Sequence, residues 1–102
     1  IPNIEVINAL KIEVRLTTKE DIIQRQLPPN VAGLVITKIE PDSPINYLKV
    51  NDIIVEAGKR KIKSANQLNN LVNSALKSQN KTILIAIFNN QNQKRYIGVK
   101  LD

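Results

Sequence analysis

The sequence predicts a compact α+β domain, in which a twisted and mostly antiparallel sheet is closed on one side by a helix. Short apolar runs rich in Val and Ile, bounded by Pro, Asn, Asp and Gly, recur along the chain and are typical of strands. The segment after Ser64 has instead the 3.6-residue period of an amphipathic helix. A length of 102 residues favours one domain.

Five or six segments carry strand signals. Residues 10–16 alternate between apolar and charged side chains, the pattern of a half-buried strand. Residues 34–39 and 53–55 flank a crossing rich in Pro and Asp, and each reads as a short buried strand. The nearly continuous apolar run at 81–88 predicts a central strand, and residues 94–101 return as the last one.

Two segments carry helix signals. Ser64 and Gln67 have the spacing of a capping box and predict a helix over 65–77. Thr18 is expected to cap a shorter helix that ends at Gln26.

The first residues carry no helix or strand period. Residues 1–9 contain a Pro and have mixed polarity, and we interpret them as a linker or a segment that leads into the domain. The domain itself is expected to span 10–102.

The composition excludes several kinds of chemistry. The chain has no Cys and no His, so it cannot assemble a Cys-His or Ser-His-Asp nucleophile, and thiolate and imidazole ligands for zinc are absent. We predict no catalytic residue, metal site or cofactor, and interpret Ser43 and Asp52 as turn residues. No apolar run approaches the roughly 20 residues that span a bilayer.

The net charge of +6 raises the question of an anionic partner. Only Lys59, Arg60, Lys61 and Lys63 cluster, and the chain has three aromatic residues, too few for a stacking platform on single-stranded nucleic acid. We therefore interpret the cluster as a solvated basic hairpin and do not expect nucleic acid as a partner. Binding of nucleic acid or anionic lipid stays open as an alternative.

Several short motifs follow one another in a recognisable order. They are Gly33-Leu34-Val35-Ile36, Pro41-Asp42-Ser43-Pro44, Leu48 and Asn51-Asp52-Ile53-Ile54. This order resembles a PDZ domain of the bacterial HtrA (Do-like) serine proteases, most of all their second PDZ domain. The resemblance implies a partly open antiparallel β-barrel or sandwich of five to six strands with two helices, in the circularly permuted bacterial topology.

The resemblance also implies a binding site. PDZ domains take up an extended peptide as one more strand, in a gap between an edge strand and a helix, and backbone N–H groups of the preceding loop hold its terminal carboxylate. Here the gap is expected between strand 10–16 and helix 65–77. The implied peptide-binding residues are Ala9, Leu10, Lys11, Ile12, Glu13, Val14, Ala65, Asn69, Val72 and Leu76. Lys11 replaces the Gly of the family pattern, which we expect to hinder a positive φ and close approach of a ligand.

The function implied by the resemblance is a non-catalytic peptide-binding module of a periplasmic serine endopeptidase that acts in protein quality control. Its expected partners are unfolded or C-terminal hydrophobic peptides and other protomers or domains of the parent protease. Because Lys11 departs from the family pattern, we keep a second hypothesis, in which the groove is degenerate and the domain serves as an oligomer-assembly contact.

Overall fold

The computed structural model describes residues 3–29 and 31–101. Over these ranges, seven strands form one antiparallel sheet, and two helices accompany it. In chain order, the strands are β1 (Glu5–Ile7), β2 (Ile12–Leu16), β3 (Leu34–Ile39), β4 (Ile53–Ala57), β5 (Arg60–Lys61), β6 (Thr82–Phe88) and β7 (Lys94–Lys100). The helices are α1 (Lys19–Arg25) and α2 (Ala65–Leu76). The predicted α+β architecture is confirmed, and the short strands β1 and β5 extend the sheet beyond the expected count.

The strand order places β2 inside the sheet rather than at its edge. The order is β1-β2-β3-β4-β6-β7, and β5 pairs with β4 in a hairpin. β2 therefore has β1 on one side and β3 on the other.

The sheet buries a core on each of its faces. Successive residues of a strand point to opposite faces, and in β4 Ile54 belongs to the core that contains Leu68 and Val72 of α2. Its neighbour Val55 belongs to a second, smaller cluster with Val31. Burial on both faces explains why β4 reads as a continuous apolar run.

β2 begins two residues later than the alternating pattern predicts. Lys11 has a φ of 54°, which interrupts the extended backbone, so Leu10 lies in the turn before β2. The Leu10 side chain is nevertheless fully buried in the main core, as are Ile12 and Val14. Leu16, at the far end of β2, is about half exposed.

The crossing from β3 to β4 consists of turns, without a helix, over residues 40–52. Asn51 has a φ of 79°, a conformation that Asn tolerates better than most residues with a side chain. Asp52 is buried and accepts a hydrogen bond from the Lys49 N–H at 3.1 Å. Its role is that of a turn residue, as its sequence context indicates.

An ion pair between Asp21 of α1 and Arg15 of β2 connects the helix to the sheet. Arg15 donates two hydrogen bonds to Asp21, at 2.7 and 2.9 Å, and the Thr18 N–H donates a third at 2.8 Å. Thr18 in turn caps the helix by accepting from the Asp21 N–H. The Arg15 hydrogen bonds, helped by that from Thr18, outweigh partial burial and lower the pKa of Asp21 to about 2.

This lowered pKa predicts a loss of stability in acid. Because the pKa of Asp21 is 3.8 when unfolded and about 2 when folded, its stabilisation is present above pH 4 and disappears as the pH falls towards 2. We expect Asp21→Asn to lower the free energy of unfolding at pH 7 by about 1–2 kcal/mol and to flatten this acid limb. Urea unfolding between pH 2 and 7 measures both effects. Glu20→Gln, in the same helical turn, is the control, and an acid limb unchanged by Asp21→Asn would contradict the assignment.

Candidate functional site

The gap beside β2 is filled by the chain's own first strand. β1 runs antiparallel to β2, with Glu5 opposite Val14, Val6 opposite Glu13 and Ile7 opposite Ile12. The opposite edge of β2 is occupied by β3. The segment that we interpreted as a linker or lead-in thus contributes a strand at the position where a peptide was expected to add.

β1 also contacts the helix on the far side of the gap. Asn69 of α2 donates a hydrogen bond through Nδ2 to the Val6 carbonyl at 3.3 Å. Ile7 is fully buried in the main core, which also contains Ala65 and Val72 of α2. β1 therefore lies between β2 and α2. The expectation of an open gap at this position is wrong, because β1 occupies the gap.

The loop between β1 and β2 uses its backbone N–H groups internally. The Leu10 N–H donates to the Ile7 carbonyl at 3.1 Å, and the Lys11 N–H donates to the Asn8 carbonyl at 3.2 Å. Lys11 adopts the positive φ that we expected to be difficult for it. The positive φ that Gly would allow is therefore adopted here by Lys11, at a conformational cost of roughly 1 kcal/mol for a residue with a side chain.

The side chains around this loop hold it in place. Lys11 Nζ donates to Asp42 Oδ2 at 2.6 Å, and this contact lowers the pKa of the exposed Asp42 carboxyl. The buried Ser43 hydroxyl donates to the Leu10 carbonyl and accepts from the Ile45 N–H at 3.1 Å. Asp42 and Ser43, in the crossing between β3 and β4, thus stabilise the conformation of this loop.

The ten predicted binding residues lie in the loop, β2 and α2. Those that are buried in the core are Leu10, Ile12, Val14, Ala65 and Val72. Those that are partly buried are Ala9, Glu13, Asn69 and Leu76, and Lys11 is exposed. Among the described residues, Asn69 is the one of these ten whose side chain hydrogen-bonds to β1.

Sequence reasoning missed β1 and the burial of Ile7. A signal was present, since Glu5-Val6-Ile7 contains two β-branched residues and precedes Asn8 and a second run, which is typical of a hairpin with a four-residue loop. The signal is weak because only one of the three strand residues is buried.

Comparisons with known proteins bear on the fold. No family model and no curated protein matches the chain. Among solved structures, the chain is similar to the HtrA-type protease AlgW with a decapeptide, with a TM-score of 0.66 and 22% sequence identity. The match covers 97% of this chain and 29% of that chain. The domain therefore has the PDZ-like α+β fold expected from its sequence.

Proposed function

We propose that the domain is a non-catalytic PDZ-like peptide-binding module whose groove exchanges β1 for an extended segment of another chain. One observation carries the proposal, namely that the groove between β2 and α2 already holds an extended apolar segment as an antiparallel strand. The incoming peptide replaces β1 and pairs with Ile12, Glu13 and Val14.

The contacts of β1 are few enough to allow exchange. The strand has three residues, of which Glu5 is exposed and Val6 is 51% exposed. Ile7 alone is fully buried, which stabilises the docked strand by about 1.5–3 kcal/mol. A peptide with an aliphatic residue at the same position offers equal burial.

The position of Ile7 also indicates how a peptide terminus is held. Its carbonyl oxygen accepts the Leu10 N–H, so a peptide ending at this position places a carboxylate oxygen there. Release of Asn8 frees the Lys11 N–H for the same carboxylate. The positive φ of Lys11 keeps this loop in the shape that the family pattern requires.

The proposal also concerns the kind of protein of which this domain is a part. The chain spans 29% of the length of the AlgW chain, whose structure contains a decapeptide. By analogy, the domain regulates a periplasmic HtrA-like serine endopeptidase and binds unfolded or C-terminal hydrophobic peptides. No described helix is long and apolar enough to cross a membrane.

Weakening β1 without touching the core tests the proposal. The Val6 carbonyl points to Asn69, so Glu5 and Ile7 direct their backbone groups towards β2. Glu5→Pro removes one such N–H, worth about 1 kcal/mol, and leaves Ile7 in place. We expect it to tighten binding of the peptide Asn-Ile-Glu-Val-Ile about 3- to 10-fold, as measured by amide NMR titration.

Two controls accompany this titration. Glu5→Gln keeps the backbone donor and is expected to leave the affinity unchanged. The same peptide with an amidated C-terminus is expected to bind several-fold more weakly, because it lacks the carboxylate. Equal affinities for Glu5→Pro and Glu5→Gln would reject exchange, as would shifts that avoid residues 9–16 and 65–76.

The filled groove also favours a second candidate, in which the domain is an assembly contact between protomers. In that case β1 stays docked and the isolated domain binds no peptide. Removal of the domain from its parent then lowers the number of subunits measured by sedimentation, whereas the exchange mechanism predicts peptide binding by the isolated domain.

A further inference from the structure

A second concave surface lies away from the peptide groove. It has a volume of about 340 Å³, and its apolar lining includes Val31, Val55 and Phe88. These residues belong to the smaller hydrophobic cluster, whereas Ile7, Ile12 and Val72 at the groove belong to the main core. We refer to this concave surface as the lysine cavity, because Lys61, Lys63 and Lys94 also line it.

The charges around the lysine cavity are not balanced. Glu56 lines it as well, and its carboxylate is already bonded to Lys94 Nζ at 2.6 Å. Lys61 and Lys63 form no ion pair with any residue in the described part of the chain. Lys61 and Lys63 therefore place two positive charges next to the apolar lining of the cavity, and neither charge is paired with a carboxylate of the described residues.

An apolar lining next to two Lys residues without a carboxylate partner favours a ligand that is both apolar and anionic. A ligand pocket usually has a volume of about 300–1,000 Å³, with an apolar lining and a few polar groups that fix orientation. The lysine cavity is at the small end of this range, and three of the residues that line it are Lys. Phe88 is the single aromatic side chain that lines it, which is too few for stacked bases.

We propose that the lysine cavity binds a small amphiphilic carboxylate. The apolar tail packs on Val31, Val55 and Phe88, and the carboxylate lies between the ammonium groups of Lys61 and Lys63. A carboxylate, as the smallest common anionic head group, suits the limited volume. The cavity uses none of the residues of the peptide groove, so the inference does not depend on the proposed function.

Three probes separate the contributions of tail and charge. Octanoate has both, octanol has the tail alone, and acetate has the charge alone. With the complete chain, we expect octanoate to shift the amides of Val55, Lys61, Lys63 and Phe88, with a dissociation constant in roughly the millimolar range. Octanol and acetate are expected to bind at least about five times more weakly, since each lacks one of the two contacts.

Charge-matched variants localise the site. The double variant Lys61→Gln with Lys63→Gln is expected to weaken octanoate binding about 3- to 10-fold. Lys77→Gln with Lys100→Gln removes the same charge at exposed positions outside the cavity and is expected to leave binding unchanged.

Three results would overturn the assignment. They are equal binding of octanoate and octanol, equal effects of the two double variants, and octanoate shifts that are absent or that centre on residues 5–16 and 65–76. Each of these results leaves the exchange of β1 for a peptide standing. Conversely, failure of the Glu5→Pro experiment does not affect the lysine cavity.

Discussion

Gly33→Ala is expected to lower the free energy of unfolding by about 2–4 kcal/mol, because the site has no room for one more methyl group. A Cβ on Gly33 would overlap the Ile54 carbonyl oxygen and lie 3.1 Å from Val55 Cα. Both contacts are with the backbone of β4, which is paired on both sides and cannot shift cheaply. A hydrogen bond also restricts the position of Gly33, because the Thr17 N–H donates to its carbonyl at 3.0 Å.

Gly98→Ala is the matched control for this substitution. Gly98 lies in β7, and a Cβ there would meet no atom within 4 Å. We expect its effect to stay within about 0.5 kcal/mol. Urea unfolding followed by circular dichroism measures both variants. Similar losses in the two would show that the close approach of Gly33 to β4 is not the cause of the destabilisation.

Removal of residues 1–7 is expected to tighten peptide binding about 30- to 1,000-fold, the largest functional effect that the structure predicts. When residues 1–7 are present, a four-residue loop connects β1 to β2. β1 therefore competes with an added peptide for the groove at a high effective concentration. Burial of Ile7 and the ladder hydrogen bonds hold it with about 2–4 kcal/mol. A peptide must overcome this free energy, and each 1.4 kcal/mol that is removed raises its affinity tenfold.

The shortened domain loses part of its core, so stability is measured with affinity. If it unfolds more readily, Asn-Ile-Glu-Val-Ile is expected to raise its melting temperature by occupying the vacant groove. The peptide with Asp in place of its last Ile is the control, because a carboxylate side chain cannot be buried there cheaply. No gain in affinity and no rise in melting temperature would reject the proposed competition.

Local patterns predicted most of the fold. The helix over Ala65–Leu76 follows from its period and its Ser64 cap, whose hydroxyl accepts the Gln67 N–H as expected. β4 and β6 follow from their apolar runs, and β7 follows from the alternation of Ile97 and Val99 with other residues. These elements carry their signal within a single stretch of sequence.

The parts that could not be predicted depend on contacts distant in sequence. β1 has three residues and owes its place to β2 and to Asn69, which is 63 positions away from Val6. The positive φ of Lys11 has no local signal, and the turn is held from a distance by Ser43 and Asp42. The lysine cavity joins residues of β5 and β7, which lie far apart in the sequence.

The most direct test of the strand exchange is the NOE between the α-protons of Val6 and Glu13. These two residues face one another across β1 and β2, and the outward carbonyl of Val6 marks the close, non-hydrogen-bonded type of pair, with Cα atoms about 4.5 Å apart. The complete chain is expected to show this NOE when free. At saturation with Asn-Ile-Glu-Val-Ile, exchange predicts that it disappears and that Glu13 gains an intermolecular NOE to the peptide. An undiminished NOE between Val6 and Glu13 in the saturated complex would contradict the account.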